Sequence, residues 1–433
     1  MKILGISCFY HDSAATIVVN NEILASVQEE RFTRIKHTSD FPLNCIRFCL
    51  EETGLRIEEL DAVVFYDKPI VKFERLLSTF YQVAPKGLIP FIKSIPVWLK
   101  EKLFLRKLIY DNLKEIEPSL KKKDLNLLFT EHHISHAASS FYPSNFKESA
   151  ILTIDGVGEW CTASICKGVE KKIEILKELH FPHSVGLLYS AFTYYLGFRV
   201  NSGEYKLMGL APYGEPKYVD IIEKNLIHIK DDGSFRLDQN YFNYTTGLSM
   251  TNDKFHNLFG QKPRDSKKDK ITQFHMDIAS SIQKVTEDIM IKICKSLKKE
   301  FNISNLCLAG GVALNCVANG KILKEKIFEK IWIQPAAGDA GGSLGAALAF
   351  WYLELKKSRE VTSKDAMSGS YLGPYFDNEE IKNKLNNLGA KFEILEDDAL
   401  IEKTADDLSK GNAVGWFQGR MEFGPRALGG RSI

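Results

Sequence analysis

No stretch of this sequence approaches the roughly 18 uninterrupted apolar residues of a membrane span. Neither sign of charge dominates it. Its 57 Lys and Arg are offset by 55 Asp and Glu, a net charge of +2, which gives no footing for nucleic acid or an anionic membrane. The opening MKILGISCFYHDSAATIVVN has one lysine, a broken apolar run and no cleavage-site pattern, so it reads as a buried strand and not a signal peptide. The eight cysteines contain no CxxC pair and sit among apolar neighbours, as reduced core thiols do. Neither GxxxxGK(S/T) nor GxGxxG occurs, which disfavours a P-loop or dinucleotide fold. What remains is a globular chain expected in the cytoplasm. At 433 residues, 44 % hydrophobic and 26 % charged, it is long enough for two or three domains.

The pattern along the chain is α/β. KILGISC and ATIVVNNEILASVQEERF predict a strand, a turn around FYHDSA, and a hairpin turning at Asn20-Asn21. SAILTIDGVGEWCTASICKG echoes that plan, and this internal repetition suggests two lobes of similar design, about 1–150 and 151–355. Ile278, Ile282, Val285, Ile289, Ile293 and Leu297 form one stripe, predicting a helix from about Gln273 to Lys299. NLCLAGGVALNCVANGKIL and IWIQPAAGDAGGSLGAALAFWYLE each read as strand, glycine turn, helix. Between Tyr81 and Leu113, prolines punctuate lysine-bearing amphipathic pieces, as in an inserted helical pair; a lid or membrane-surface segment is the alternative. Polar Lys356–Ser370 is the expected linker, and a new unit starts at about Tyr371.

Four turns could meet at one cleft. FYHDSAA and DGVGEW each place an acid and small residues after a strand. LAGGVALN and PAAGDAGGSLGAA place glycines before helices, where free N–H groups and the helix dipole favour anions. This arrangement is that of the actin, sugar-kinase and heat-shock ATPase fold, two ribonuclease-H-like lobes around a nucleotide. In TEHHISHAASSF, His132 and His136 lie one helical turn apart, whereas His133 points about 100° away. The pair alone could be a polar patch. With Asp339 as a third donor it would leave positions open on iron(II), manganese or zinc.

YHDSAA, EERFTRIKH, EHHISHAASSFYPS, IDGVGEW, NSGEYKLMGLAPYG, LCLAGGVALNCVANGKI, QPAAGDAGGSLGAA and GRMEFGPRALGGRSI occur in that order. From Gly5 to Ser432 the chain resembles the O-carbamoyltransferases of nodulation-factor and antibiotic tailoring. The resemblance implies a Kae1-like transfer domain (1–355) followed by a smaller α+β YrdC-like domain that makes carbamoyl-adenylate from carbamoyl phosphate and ATP, with magnesium for that step. The transfer domain then passes the carbamoyl group to a hydroxyl of a small, sugar-containing acceptor. On this resemblance His132, His136 and Asp339 bind metal, iron foremost. His11 takes the acceptor's proton, with Lys206 and Glu204 as further catalytic candidates, and Asp12 and Asn201 contact the acceptor. Gly310, Gly311, Asn315, Gly338, Gly341 and Gly342 cradle the adenylate, with Asp155, Gly156 and Gly158 opposite, and Arg426 binds carbamoyl phosphate.

The sequence departs from the family at its end. It stops at Ile433, just after FGPRALGGRS, whereas family members run on through the YrdC-like fold, and Gly430 replaces a frequent asparagine. The expectation is therefore an incomplete YrdC-like unit over 371–433, with the missing part supplied by another chain and at most the transfer half-reaction retained. Two rivals stand beside this reading: threonylcarbamoyl transfer to tRNA, and an inactive nucleotide- and metal-binding remnant.

Overall fold

The computed structural model describes residues 1–98 and 103–433. Its frame is a pair of five-stranded mixed sheets with one plan. In the first, β1 (Lys2–Ser7), β2 (Ala14–Val19), β3 (Glu22–Gln28), β4 (Ala62–Phe65) and β5 (Leu127–Phe129) lie in the order β3-β2-β1-β4-β5. The hairpin pairs are antiparallel, and β1, β4 and β5 run parallel. In the second, β6 (Glu148–Ile154), β7 (Cys161–Val169) and β8 (Lys172–His180) are joined, after a small hairpin of β9 (Ile227–Ile229) and β10 (Phe235–Leu237), by β11 (Asn305–Ala309) and β12 (Lys330–Ile333). The order is β12-β11-β6-β7-β8, with the same senses. The echo between the two strand-turn-strand motifs is thus a repeat of topology. A short pair, β13 (Trp416–Phe417) and β14 (Arg431–Ser432), lies near the C-terminus.

Local chemistry explains the first hairpin. Asn20 and Asn21 both adopt left-handed φ, 47° and 79°, as a two-residue primed turn requires. The continuous apolar runs in β1 and β4 are buried along nearly their whole length, as expected of strands covered on both faces.

Two helices sit between the sheets and bring the site together. The histidine helix (His132–Phe141) and the glycine helix (Asp339–Ala349) pack on each other, and the glycine helix also covers β1 and β2. Its small residues permit that approach. A Cβ on Gly345 would lie 1.8 Å from the Ser135 carbonyl oxygen, and one on Gly342 would lie 2.6 Å from the Tyr66 ring. Ala336, Ala340, Leu344 and residues 346–352 accordingly join the core of the first sheet, although they follow the second sheet in sequence. The long helix Gln273–Phe301 buries its apolar stripe in the second core.

Cys316 differs from expectation, being exposed at the start of a helix, whereas the other seven cysteines are buried. The Tyr81–Leu113 segment carries parts of three helices, Pro69–Val83, Leu88–Trp98 and Leu105–Ile116. Residues 99–102 of that expectation lie outside the described residues. Polar Lys356–Ser370 lies against the body: Arg359 donates to the carbonyls of Phe141, Tyr142, Ser144, Phe146 and Glu170. Beyond it, the helices Asn378–Asn387 and Asp397–Ser409 bury no residue, while Phe423 is fully buried and donates its N–H to Ser370. Among the described residues no helix is long and apolar enough to cross a membrane.

Candidate functional site

His132 and His136 project from the same helix face with rings 4.6 Å apart and nearly perpendicular. Their Nε2 atoms are 3.1 Å from each other and 2.8 and 3.3 Å from Asp155 Oδ2. Asp339, the first residue of the glycine helix, brings Oδ1 to 3.7 and 3.8 Å of the same nitrogens. Four buried side chains therefore converge from three elements, and their donor atoms all lie within 4.8 Å of one another. A tetrahedral ion with ligands at about 2.0–2.1 Å separates them by about 3.3 Å, which falls in the middle of this range of spacings.

The charges fit a cation as well. Burial drives the His132 imidazole well below its usual range, which the Asp155 hydrogen bond only partly offsets. Asp155 is lowered well below the carboxylate range, because its bonds to His132 and His136 outweigh burial. Burial raises Asp339, whose Oδ2 accepts a hydrogen bond from Tyr66 Oη at 3.1 Å. A neutral imidazole beside an ionised carboxylate is the form that ligates metal. Two buried carboxylates also match the charge of a divalent ion. Packing holds the histidine rings: their Nδ1 atoms find no partner, and a Cβ on Gly158 would press on His132 and His133 at 3.0 Å.

Asp155 is the member that sequence reasoning assigned elsewhere. It comes from the β6–β7 turn, and nothing in DGVGEW says that this turn closes on a helix preceding β6. Glu159 of the same turn was missed altogether. Its carboxylate accepts from the His132 N–H at 3.1 Å and the Lys68 N–H at 2.8 Å, serving the free N-terminus of the histidine helix. His133 stays out of the cluster and pairs through Nδ1 with Thr153 Oγ1 at 2.6 Å.

Beside the cluster opens a solvent-facing cleft. His11, Asp12, Asp155, Gly156, Asn201, Glu204, Gly311, Asn315, Gly338 and Arg426 all line it. His11 Nε2 is 3.8 Å from Asp339 Oδ2, and its Nδ1 is 3.0 Å from Asp12 Oδ2. Burial lowers the His11 imidazole, but Asp339 and Asp12 outweigh it and hold the group well above its usual value. Glu204 Oε1 accepts from Ser190 Oγ at 2.8 Å and from the Asn201 N–H at 3.1 Å. Arg426 donates to the Leu314 carbonyl at 2.9 Å, beside the glycine turn, and its Nε is buried without a partner.

Besides the metal donors His132, His136 and Asp339, five expected residues do not line this cleft. Lys206 is exposed, with Nζ 6.0 Å from the Tyr205 ring centre: helical spacing from Glu204 turns it outward. Gly158 backs the histidine rings, as above. Gly310, Gly341 and Gly342 are packing glycines, because a Cβ there would meet the Ile154 carbonyl at 2.3 Å, the Ala336 carbonyl at 2.1 Å and the Tyr66 ring at 2.6 Å. Asn315 lines the cleft but uses its amide to cap the helix Cys316–Lys324 and to pair with Gln283. Tyr189, buried in the second core, also reaches the cleft wall.

Comparison with known proteins gives a consistent family. A family model described as Carbamoyltransferase N-terminus matches residues 2–348, and one described as Carbamoyltransferase C-terminus matches 405–433. An uncharacterized protein of Synechocystis sp. is 58 % identical over all of this chain and 70 % of its own length. Nodulation protein NolNO of Sinorhizobium fredii is 35 % identical over 98 % of this chain. NolO of Bradyrhizobium diazoefficiens is 34 % identical over 70 %. The matches span 58 % and 52 % of those two nodulation proteins. Among solved structures, HypF of T. kodakarensis aligns over 83 % of this chain and 48 % of its own, with 16 % identity and a TM-score of 0.40, too loose a likeness to argue from. Matched from residue 2 to 348 and again from 405 to 433, the chain belongs to the carbamoyltransferase family of enzymes.

Proposed function

We propose that the cleft transfers a carbamoyl group from carbamoyl-adenylate to a hydroxyl of a small, sugar-containing acceptor. The observation that carries this reading is the position of His11, on the cleft wall with Nε2 3.8 Å from a carboxylate of the four-donor cluster. His132, His136, Asp155 and Asp339 would hold the metal, with iron(II) first and zinc or manganese as alternatives. A divalent ion there supplies Lewis-acid polarisation of a phosphate or carbamoyl oxygen.

The remaining steps belong to the chain. The N–H groups of the turn at Gly338 and the Arg426 guanidinium donate to phosphate oxygens, while the Gly311 N–H holds Asp155 Oδ1 at 3.2 Å. Glu204, with one oxygen uncommitted, and Asn201 orient the acceptor. The acceptor oxygen attacks the carbamoyl carbon, its proton passes to His11 Nε2, and the bond from that carbon to the phosphate oxygen breaks. AMP leaves with the electron pair. The His11 Nδ1–H bond to Asp12 aims Nε2 at the cleft. The ring takes the proton in its neutral form, which becomes more populated as pH rises because Asp339 and Asp12 favour the imidazolium.

The same strand order and senses in both sheets support two ribonuclease-H-like lobes of the actin and sugar-kinase design, in a Kae1-like domain over 1–355. Residues 371–433 are read as the start of a YrdC-like domain that forms carbamoyl-adenylate from ATP and carbamoyl phosphate. The test supplies this protein with a complete YrdC-like domain, ATP, carbamoyl phosphate and a panel of sugars. Mass spectrometry should find a sugar with one added carbamoyl group. Pyrophosphate release with no carbamoylated sugar and no carbamate would remove the transfer reading.

A further inference from the structure

We infer that His37 is a positioning residue that sets the tautomer and orientation of His11 through Asp12. The inference rests on the transfer reading above. Asp12 offers its two carboxylate oxygens to two different rings: Oδ2 is 3.0 Å from His11 Nδ1, and Oδ1 is 2.7 Å from His37 Nδ1. An ionised carboxylate only accepts. Asp12 is ionised, since its bonds to His11 and His37 outweigh burial and hold it far below the usual range. Both rings must therefore present Nδ1–H, so the neutral form of His11 has its lone pair on Nε2, facing the cleft.

The backbone is built to keep this arrangement. The Phe9 N–H donates to the Ser39 carbonyl at 2.8 Å and the Ser13 N–H to the Thr38 carbonyl at 3.1 Å. The loop carrying His37 is thereby stitched to the turn carrying His11 and Asp12. The His37 N–H is held in turn by Glu30 Oε2 at 3.0 Å, and Glu30 is paired with Arg31 at 2.6 Å. Three non-glycine residues here, Phe9, Asp12 and His37, take left-handed φ of 67°, 53° and 55°. Each costs about 1–2 kcal/mol, and such strain concentrates where a functional geometry must be held.

Without His37, one oxygen of Asp12 loses its donor and the carboxylate can rotate about its own axis. The His11 Nδ1–H then has no fixed acceptor, and both tautomers and ring orientations become accessible. His37 also lines the cleft, but its Nδ1 is committed to Asp12 and its Nε2 is buried. Substrate contacts stay with the turn at Gly338, Arg426, Glu204 and Asn201, so the defect belongs in kcat.

The experiment compares His37→Leu, which removes the donor at similar volume, with His37→Asn, whose amide N–H can replace Nδ1–H. In the coupled transfer assay with the sugar that wild type carbamoylates, His37→Leu should lower kcat about 10- to 100-fold with KM for that sugar little changed. His37→Asn should recover most of the loss. In protein with 15N-labelled histidine, His11, assigned by the signal lost in His11→Asn and titrated to its neutral form, should carry its proton on Nδ1 in wild type and His37→Asn. In His37→Leu it should show mixed tautomers. Wild-type kcat in His37→Leu, or a neutral wild-type His11 that carries its proton on Nε2, would overturn the inference. If wild type carbamoylates no sugar, the transfer reading fails, and the nitrogen signals still decide the His37–Asp12–His11 geometry. If His37→Leu does not fold, the wild-type signals and His37→Asn decide it.

Discussion

Adding one methyl group at Gly345, on the helix that Asp339 opens, should empty the candidate metal site. A Cβ there would lie 1.8 Å from the Ser135 carbonyl oxygen, 2.6 Å from its carbon and 3.1 Å from its Cα. All three are backbone atoms of the histidine helix, so no side chain can swing aside. Ordinary contact is reached only near 3.5 Å, and the two helices must separate by more than about 1 Å. Ser135 lies between His132 and His136, and Asp339 opens the helix that carries Gly345. The shift therefore adds directly to the 3.7 and 3.8 Å spacings that join Asp339 to the histidines. Spacings near 5 Å exceed what one ion at about 2.0–2.1 Å can span. Overpacking of this kind costs about 1–3 kcal/mol or more, which a protein of this size can survive. Gly345→Ala should thus fold with a lowered Tm and retain little metal after loading with iron(II), measured by elemental analysis against wild type. Wild-type metal content together with a wild-type Tm would refute the reasoning.

Two further outcomes follow from the same geometry. Asp12 has a folded pKa below its unfolded value of about 3.9, so its contribution is complete above that pH and fades as pH falls below it. Asp12→Asn should therefore lower Tm at neutral pH, and the deficit should narrow below about pH 4; a deficit independent of pH would contradict this. Arg359 binds five carbonyls and lies 4.3 Å over the Phe141 ring. Arg359→Ala should cost about 2–4 kcal/mol in denaturant unfolding, and Lys should not restore it because it lacks the planar fork.

Much of this was legible in the sequence because it is local. The Asn20-Asn21 turn, the stripe from Ile278 to Leu297 and the His132–His136 spacing each follow from residues a few positions apart. The repeated strand-turn-strand motif exposed the shared plan of the two sheets. What escaped depends on which elements meet. Asp155 reaches the histidines only because β6 runs beside the helix that precedes it, and His37 reaches Asp12 only through a loop pinned by backbone hydrogen bonds. The glycines of GDAGGSLGAA were misread in part for the same reason. Gly338 opens toward the cleft, but Gly341 and Gly342 let a helix approach Ala336 and Tyr66. Arg359 looked like part of a solvated linker because its partners are carbonyls, which no side-chain pattern announces.

The account rests on one cluster and one cleft acting together, and His136→Ala separates them. His136 is a donor in the cluster and does not line the cleft. With ATP, radiolabelled carbamoyl phosphate, an accepted sugar and a complete YrdC-like domain, wild type should move label into the sugar. The His136→Ala protein, folded but depleted of metal, should do so at least about 100-fold more slowly. Label transfer at the wild-type rate in that variant would contradict the account.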